Sequence, residues 1–175
     1  KPVDLYSVYG RRAEFAVSSV KPELVDAVMA HGGGGLNGIY KSTDSGASFT
    51  MIFDGLLYGN NLLGIAYNGT SYGGQAGYDL SIAVHPDHPD TLLVGGINTW
   101  RSVNGGTTWQ LVNEPFGNGG VAKVHVDKHS LKYRSDRVLF ECNDGGLNVS
   151  ADDGTTWEDK SSGLVISQIY RLGTD

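Results

Sequence analysis

The stretch Ser150-Ala-Asp-Asp-Gly-Thr-Thr-Trp157 sets two adjacent carboxylates beside a hydroxyl, a glycine and an indole. Taken alone it looks like an acid/base pair, because neighbouring carboxylates split their pKa values. Two other stretches have the same form, Ser42-Thr-Asp-Ser-Gly-Ala-Ser-Phe49 and Ser102-Val-Asn-Gly-Gly-Thr-Thr-Trp109. The shared pattern is Ser-x-Asp/Asn-x-Gly-x-x-Trp/Phe, at intervals of 60 (102 minus 42) and 48 (150 minus 102) residues. Asp153 is replaced by Ser45 and Gly105 in the other copies, and Asn104 stands where they have Asp. Geometry rather than charge is therefore what the pattern keeps. A short Asp or Asn side chain accepts hydrogen bonds from backbone N–H groups two or three residues on. Gly46, Gly106 and Gly154 suit a positive φ, and Phe49, Trp109 and Trp157 can cover the turn. The opening stretch reads as a fastener between two strands.

Each copy has the same surroundings. In the middle unit, Asp79-Leu-Ser-Ile-Ala-Val-His85 is followed by a Pro-Asp-His-Pro-Asp turn, then Thr-Leu-Leu-Val-Gly-Gly, Asn-Thr-Trp-Arg-Ser, the repeated turn, and Thr-Thr-Trp-Gln-Leu-Val-Asn113. Those runs have strand periodicity and turn punctuation, giving four strands per unit. Four-stranded units at this spacing, without helical segments between them, predict an all-β chain of propeller blades. The expected division is a blade over 11–53, a long loop over 54–78, blades over 79–115 and 125–160, and the start of another over 165–175. Closed propellers have 4 to 8 or more blades. Three blades and a part thus predict a portion of a larger propeller, completed by more of the same chain or by other subunits.

Composition agrees. The 26 glycines among 175 residues are about twice the usual share, whereas there are only 5 prolines, as a chain of tight turns requires. The 13 basic residues are scattered and the net charge is −6. A nucleic-acid partner would need a basic stripe, so none is expected. No apolar run approaches the length of a membrane span. Cys142 is the only cysteine, which precludes an internal disulfide. Its acidic neighbours Glu141 and Asp144 oppose a reactive thiolate, so it reads as an inert, half-buried strand residue.

Strand alternation sorts the loops to two ends. The repeated turns and the first-to-second strand turns share one end; the starts of the first strands and the second-to-third strand turns share the other. The segment His85-Pro-Asp-His-Pro-Asp90 has metal-like residues in His85, Asp87, His88 and Asp90, but falls on the repeated-turn side and reads as a polar turn. His125-Val-Asp-Lys-His129 falls on the other. If extended, it places His125, Asp127 and His129 on one face, fit for a metal, a proton relay, a polar channel lining or a blade-to-blade tie, the last being the plainest. Glu141, Asn143 and Asp144 lie at the same end, with His31 and the glycines 32–35. The segment 32–35 lacks the lysine and helix of a phosphate loop. No metal is assigned and no cofactor is expected.

The 25-residue connection 54–78 is several times the usual length of about 4 to 6. Long loops in compact folds often carry function. It holds Tyr58, Tyr67, Tyr72 and Tyr78 with Asn60, Asn61, Asn68 and Gln75, a mix suited to stacking on sugars or docking a peptide.

The three repeated turns resemble the Asp-box, or BNR, repeat. Together with Gly74-Gln-Ala-Gly-Tyr-Asp-Leu-Ser-Ile-Ala-Val-His-Pro86, His-Val-Asp-Lys-His and Asn143-Asp-Gly-Gly-Leu-Asn-Val-Ser, they are similar to sortilin-like or glycosidase-like propellers of exported Bacteroidetes-type proteins, including type IX secreted ones. That resemblance implies an extracellular or cell-surface setting and a binding or display module whose ligand is a glycan or partner protein. It also offers a glycoside hydrolase of xyloglucanase or sialidase type, and a structural spacer. For a xyloglucanase-like enzyme, Asp79 or Asp127 would be one of two opposed carboxylates. For a sialidase-like one, Arg11, Arg12, Glu14, Tyr170 and Arg171 stand near inner-strand starts, but the Phe/Tyr-Arg-Ile-Pro signature is absent.

Overall fold

In the computed structural model, residues 10–164 are described, and they fold as three sheets of consecutive strands, antiparallel but for one short terminal pair. The first sheet is β1 (Gly10–Val17), β2 (Val25–His31), β3 (Leu36–Ser42) and β4 (Thr50–Asp54). The second is β5 (Ser81–Val84), β6 (Leu92–Gly95), β7 (Thr99–Ser102), β8 (Gln110–Glu114) and the short β9 (Ala122–Lys123). The third is β10 (Lys128–Tyr133), β11 (Leu139–Asn143), β12 (Gly146–Ser150) and β13 (Glu158–Asp159). The innermost strand β5 lies against both β1 and β10, so the three sheets stand side by side as successive blades. No helix long and apolar enough to cross a membrane occurs among the described residues. The segment 165–175, expected to open another blade, lies outside them, as do Tyr170 and Arg171.

Side-chain alternation explains why the middle sheet is apolar on both faces. Ile82, Val94, Trp100 and Leu111 are cross-strand neighbours and pack with Val28, Ile39 and Leu36 of the first blade. Ala83, Leu93 and Val112, on the opposite face, pack with Leu131 and Leu139 of the third. A strand covered on both sides carries a continuous apolar run, as in Leu92-Leu-Val-Gly95, buried throughout. Register irregularities at Ile39/Tyr40 and Thr99/Trp100 add local twist where the third strand passes to the fourth.

The three repeated turns have one geometry. Ser42, Ser102 and Ser150 donate their hydroxyl to Oδ1 of Asp44, Asn104 and Asp152 at 2.7, 3.0 and 2.8 Å. The serine Oγ atoms themselves accept the N–H of Gly46, Gly106 and Gly154 at 2.8, 2.9 and 2.8 Å. The Asp or Asn Oδ1 in turn accepts the N–H of Ser48, Thr108 and Thr156, which lies four residues on rather than two or three. The three glycines have φ of 88°, 89° and 85°. Trp109 and Trp157 donate their indole N–H to Gly106 and Gly154. Asp44 and Asp152 accept a hydroxyl at Oδ2 from Ser48 and Thr156, whereas the Asn104 amide donates to Thr108 Oγ1. Reversing one hydrogen bond is how the middle turn does without the acid. Asp152 is thus turned into its own loop, while Asp153 accepts the Tyr133 hydroxyl at 2.8 Å; the two carboxylates diverge.

Two departures from the sequence reading concern the sheets. The middle blade has a fifth strand, because Ala122 and Lys123 pair in parallel with Asn113 and Glu114 after the chain reverses through the turn at Asn118–Gly120. Cys142 is exposed rather than half-buried, with its thiol pKa raised by local desolvation and then by Glu141.

Candidate binding face

The loop 54–78 is held by its own polar groups. Asn61, 5% exposed, accepts the N–H of Leu36 at 2.9 Å and of Leu63 at 3.2 Å. Its amide donates to the carbonyls of Ser71 at 2.8 Å and Gly73 at 3.0 Å. Leu62, Leu63 and Ala76 enter the main core. Gly74 and Ala76 donate their N–H to the carbonyls of Gly33 and Gly34, joining the loop to the β2–β3 turn. A side chain at Gly74 would meet Leu63 O at 2.3 Å, so this crossing demands glycine. Asn98, in the β6–β7 turn, donates to the carbonyls of Gly64 and Ile65. The loop is therefore a fixed bridge between the first two blades.

On this bridge Tyr58 and Tyr72 are 79% and 91% exposed. Both line a cavity of about 90 Å³ with His31, Asn61, Thr70 and Ser71. A wider open groove, of about 670 Å³, continues past His31 along Gly32–Gly34 to Gln75 and Tyr78, with Arg11 and Arg12 beside it. Arg12 is occupied, bonding Glu14 and the carbonyls of Ala76, Tyr78 and Leu80. Tyr67 lies instead near Gly119 of the 118–120 turn.

Beyond Tyr78 the groove meets an acidic cluster. The Gln75 amide donates to Asp79 Oδ2 at 3.3 Å and to Asp127 Oδ1. Tyr78 and His129 bind the two oxygens of Asp144, at 2.8 and 2.7 Å, with their rings edge to face at 4.8 Å. Asp79 is fully buried and its Oδ1 has no hydrogen-bond partner. Burial, reinforced by the Asp127 charge and opposed by the Gln75 hydrogen bond, pushes the Asp79 pKa up to about 7. Asp127 is also raised, by burial and then by Asp144. For Asp144, desolvation is outweighed by the hydrogen bonds from Tyr78 and His129, and its pKa falls.

An extended 125–129 segment would set His125, Asp127 and His129 on one face. The structure brings Asp127 and His129 to the cluster but not the alternation, because Asp127 has φ 68° and the segment 125–127 is not a strand. His125 packs on Gly145, and its Nδ1 lies 3.2 Å from the Val126 carbonyl. Among the described residues no three His, Cys, Asp or Glu gather as a metal site. Asn143 joins a different network beneath the face. There Lys128 and Glu141, both fully buried, stand 3.9 Å apart. Glu141 accepts Thr99 Oγ1 at 2.7 Å and the Asn113 amide at 2.9 Å, and Asn143 at 3.4 Å. Lys128 donates to the carbonyls of Ile97 and His125. Burial lowers the Lys128 pKa, against the Glu141 charge. This charged tie between second and third blades went unread in the sequence: an alternating Lys beside two His reads as solvent-facing until the third sheet is docked.

At the far end, His85 behaves as the turn residue expected of it. Its Nδ1 accepts the N–H groups of Asp87 and His88 at 3.1 Å, its ring stacks on His88, and Asp87 pairs with Arg137 of the third blade.

Successive blades of consecutive strands joined through an inner strand, with the third-to-fourth strand turn of each fastened alike, define a β-propeller architecture. The likenesses among solved structures are of that class. A GH74 enzyme from Niastella koreensis aligns over 82% of this chain and 22% of its own, at 20% identity and TM-score 0.54. The GH74 xyloglucanase from Xanthomonas campestris aligns over 86% and 23%, at 19% identity and TM-score 0.53. YCF48 bound to D1 peptide aligns over 90% and 43%, at 10% identity and TM-score 0.53. The chain thus spans less than half the length of each of these propellers. No protein-family profile and no curated protein matches the sequence.

Proposed function

We propose that the chain is a ligand-binding or display module, using the end of the propeller that carries the 54–78 loop. The observation that carries this reading is the loop itself. Its backbone is fixed by Asn61 and the core leucines, yet Tyr58 and Tyr72 stand out beside a cavity. Side chains exposed on a rigid frame lose little entropy on contact, which favours binding. The ligand is a glycan or a partner protein, and the setting we infer is extracellular or cell-surface, as for the exported propellers the sequence resembles. The common geometry of the three turns supports reading them as Asp-box repeats. YCF48, of similar fold, is a propeller with a bound peptide.

One observation favours a glycosidase as the second reading: Asp79 holds a proton near neutrality beside Asp127. A general acid must reach the leaving oxygen, however, and Asp79 is fully buried. The deciding experiment screens the chain against glycan arrays and candidate protein ligands. Binding lost in Tyr58→Ala/Tyr72→Ala but kept in Val103→Ser, an exposed change in the far-end turn, is the expected outcome; the reverse pattern rejects the reading. Polysaccharide hydrolysis abolished by Asp79→Asn would establish the enzyme instead.

A further inference from the structure

The amide side chains of the loop serve mainly to hold it in place, which bears on what the loop can bind. The segment 55–78 contains four amide side chains. Asn60 donates to the Asp54 carbonyl. Asn61 makes the four bonds described above. Asn68 accepts both the N–H and the hydroxyl of Thr70, and Gln75 is divided between Asp79 and Asp127. A hydroxyl-rich ligand that surrenders water must recover its hydrogen bonds from the protein, and the one amide that lines the cavity, Asn61, has none left to give.

What the loop does offer is apolar area without charge. None of its 24 residues from 55 to 78 is Asp, Glu, Lys or Arg, in a chain of net charge −6. Leu56, Leu57, Tyr58, Ile65, Tyr67 and Tyr72 are all exposed, by between 47% and 91%. Four of them, Leu56, Leu57, Tyr58 and Tyr72, line the same cavity of about 90 Å³. Exposed apolar side chains grouped around one cavity are the kind of surface that takes a partner, and tyrosine-rich rigid surfaces supply contact area at low entropic cost. Besides the Tyr58 and Tyr72 hydroxyls, two hydrogen-bond donors remain at the cavity. His31 Nδ1 accepts the Gly33 N–H, so the neutral ring carries its proton on Nε2, where no partner is present among the described residues. Ser71 Oγ accepts the Ala66 N–H and keeps its own proton to donate.

We infer that the loop docks a protein partner through an uncharged, apolar segment, one side chain entering the cavity between Tyr58 and Tyr72 and main-chain carbonyls facing His31 and Ser71. This rests on the loop-end binding reading above and narrows its ligand from glycan or protein to protein. The absence of charge on the loop fixes the character of the association. Electrostatic steering and its salt dependence come from charged groups; the loop supplies none to the cavity, and Arg11 and Arg12 border only the wider groove.

The test pans the immobilised chain against a displayed library of random linear peptides. The expected result is enrichment of peptides rich in aliphatic and aromatic residues and poor in charge. Their affinity should change less than about twofold between about 50 and about 500 mM salt. It should fall about tenfold or more in Tyr58→Ala/Tyr72→Ala and hold in Val103→Ser, with the thermal melts of all three proteins coinciding. A charged consensus with steep salt dependence overturns the inference. So does binding of a neutral glycan array that the double change abolishes, which would leave the loop-end reading intact. Loop-dependent self-association in ultracentrifugation overturns it in favour of a second copy. If neither peptides nor glycans respond to the tyrosine changes, the loop-end reading falls as well.

Discussion

Asp79→Asn is expected to stabilise the protein above neutral pH, although it removes a buried acid. Asp79 is fully buried with one oxygen unpaired, and its pKa rises from 3.8 to about 7 on folding. The sign follows from linkage. A raised folded pKa means the folded state holds the proton more tightly, so the contribution is complete below pH about 3.8 and lost as pH climbs through about 7. The interval from 3.8 to about 7, at about 1.36 kcal/mol per pH unit, sets the loss at about 4 kcal/mol at most. Asparagine keeps the acceptor for Gln75 and cannot ionise. Urea unfolding of wild type and Asp79→Asn at several pH values between about 4 and about 8 reads the difference directly as midpoint shifts at constant slope. The variant should gain on wild type steadily as pH rises, and the gain should level off above about pH 7 to 8. A difference that is flat with pH, or an Asn variant weaker at pH 8 than at pH 5, would show that the ionised carboxylate has a partner and would refute the reasoning.

Four other outcomes are expected. Gly106→Ala should cost more than Gly46→Ala: both glycines have φ near 90°, but a methyl at 106 would meet Ile52 Cδ1 at 2.7 Å while the space at 46 is open, so the second should show only the left-handed penalty of about 1–2 kcal/mol. Ser102→Ala removes the hydroxyl that ties Asn104 to Gly106 and should destabilise by about 1–3 kcal/mol, whereas Asn104→Asp, which restores the residue of the other two turns, should be within about 0.5 kcal/mol of wild type by thermal melt. Lys128→Met strands the buried Glu141 charge and should cost about 3–5 kcal/mol, with Lys128→Met/Glu141→Gln losing less than the single change. Asn61→Ala should release the loop, seen as accelerated limited proteolysis within 55–78 at unchanged cleavage elsewhere.

The fold was legible because its signals are local. Three turns with Ser, Asp or Asn, and Gly at fixed offsets, separated by runs such as Leu92-Leu-Val-Gly95, identify hairpins without knowledge of what packs on them. The ends to which loops belong followed from alternation alone. The far-end role of His85 was correctly placed by that sorting, even though its side chain suggests metal. The site was less legible because its geometry comes from docking between blades. Asp127 departs from the strand at φ 68°, and that breaks the alternation expected of His125, Asp127 and His129. Lys128 and Glu141 are 13 positions apart (141 minus 128), and only the pairing of β10 with β11 beside the β6–β7 turn buries them together. The fifth strand, β9, rests on just two paired residues, too short for any periodic signal. Asn61 is one asparagine among several in the loop; its central position depends on Leu36 lying opposite.

The central claim, that ligand is taken at the loop end and not at the fastened end, is tested most directly by amide chemical-shift mapping of the isotope-labelled chain with a peptide selected on it. The expected shifts fall on residues 55–78 and the 31–34 turn, with residues 42–49, 102–109 and 150–157 unmoved. Shifts centred on those three turns, with the loop silent, would contradict it.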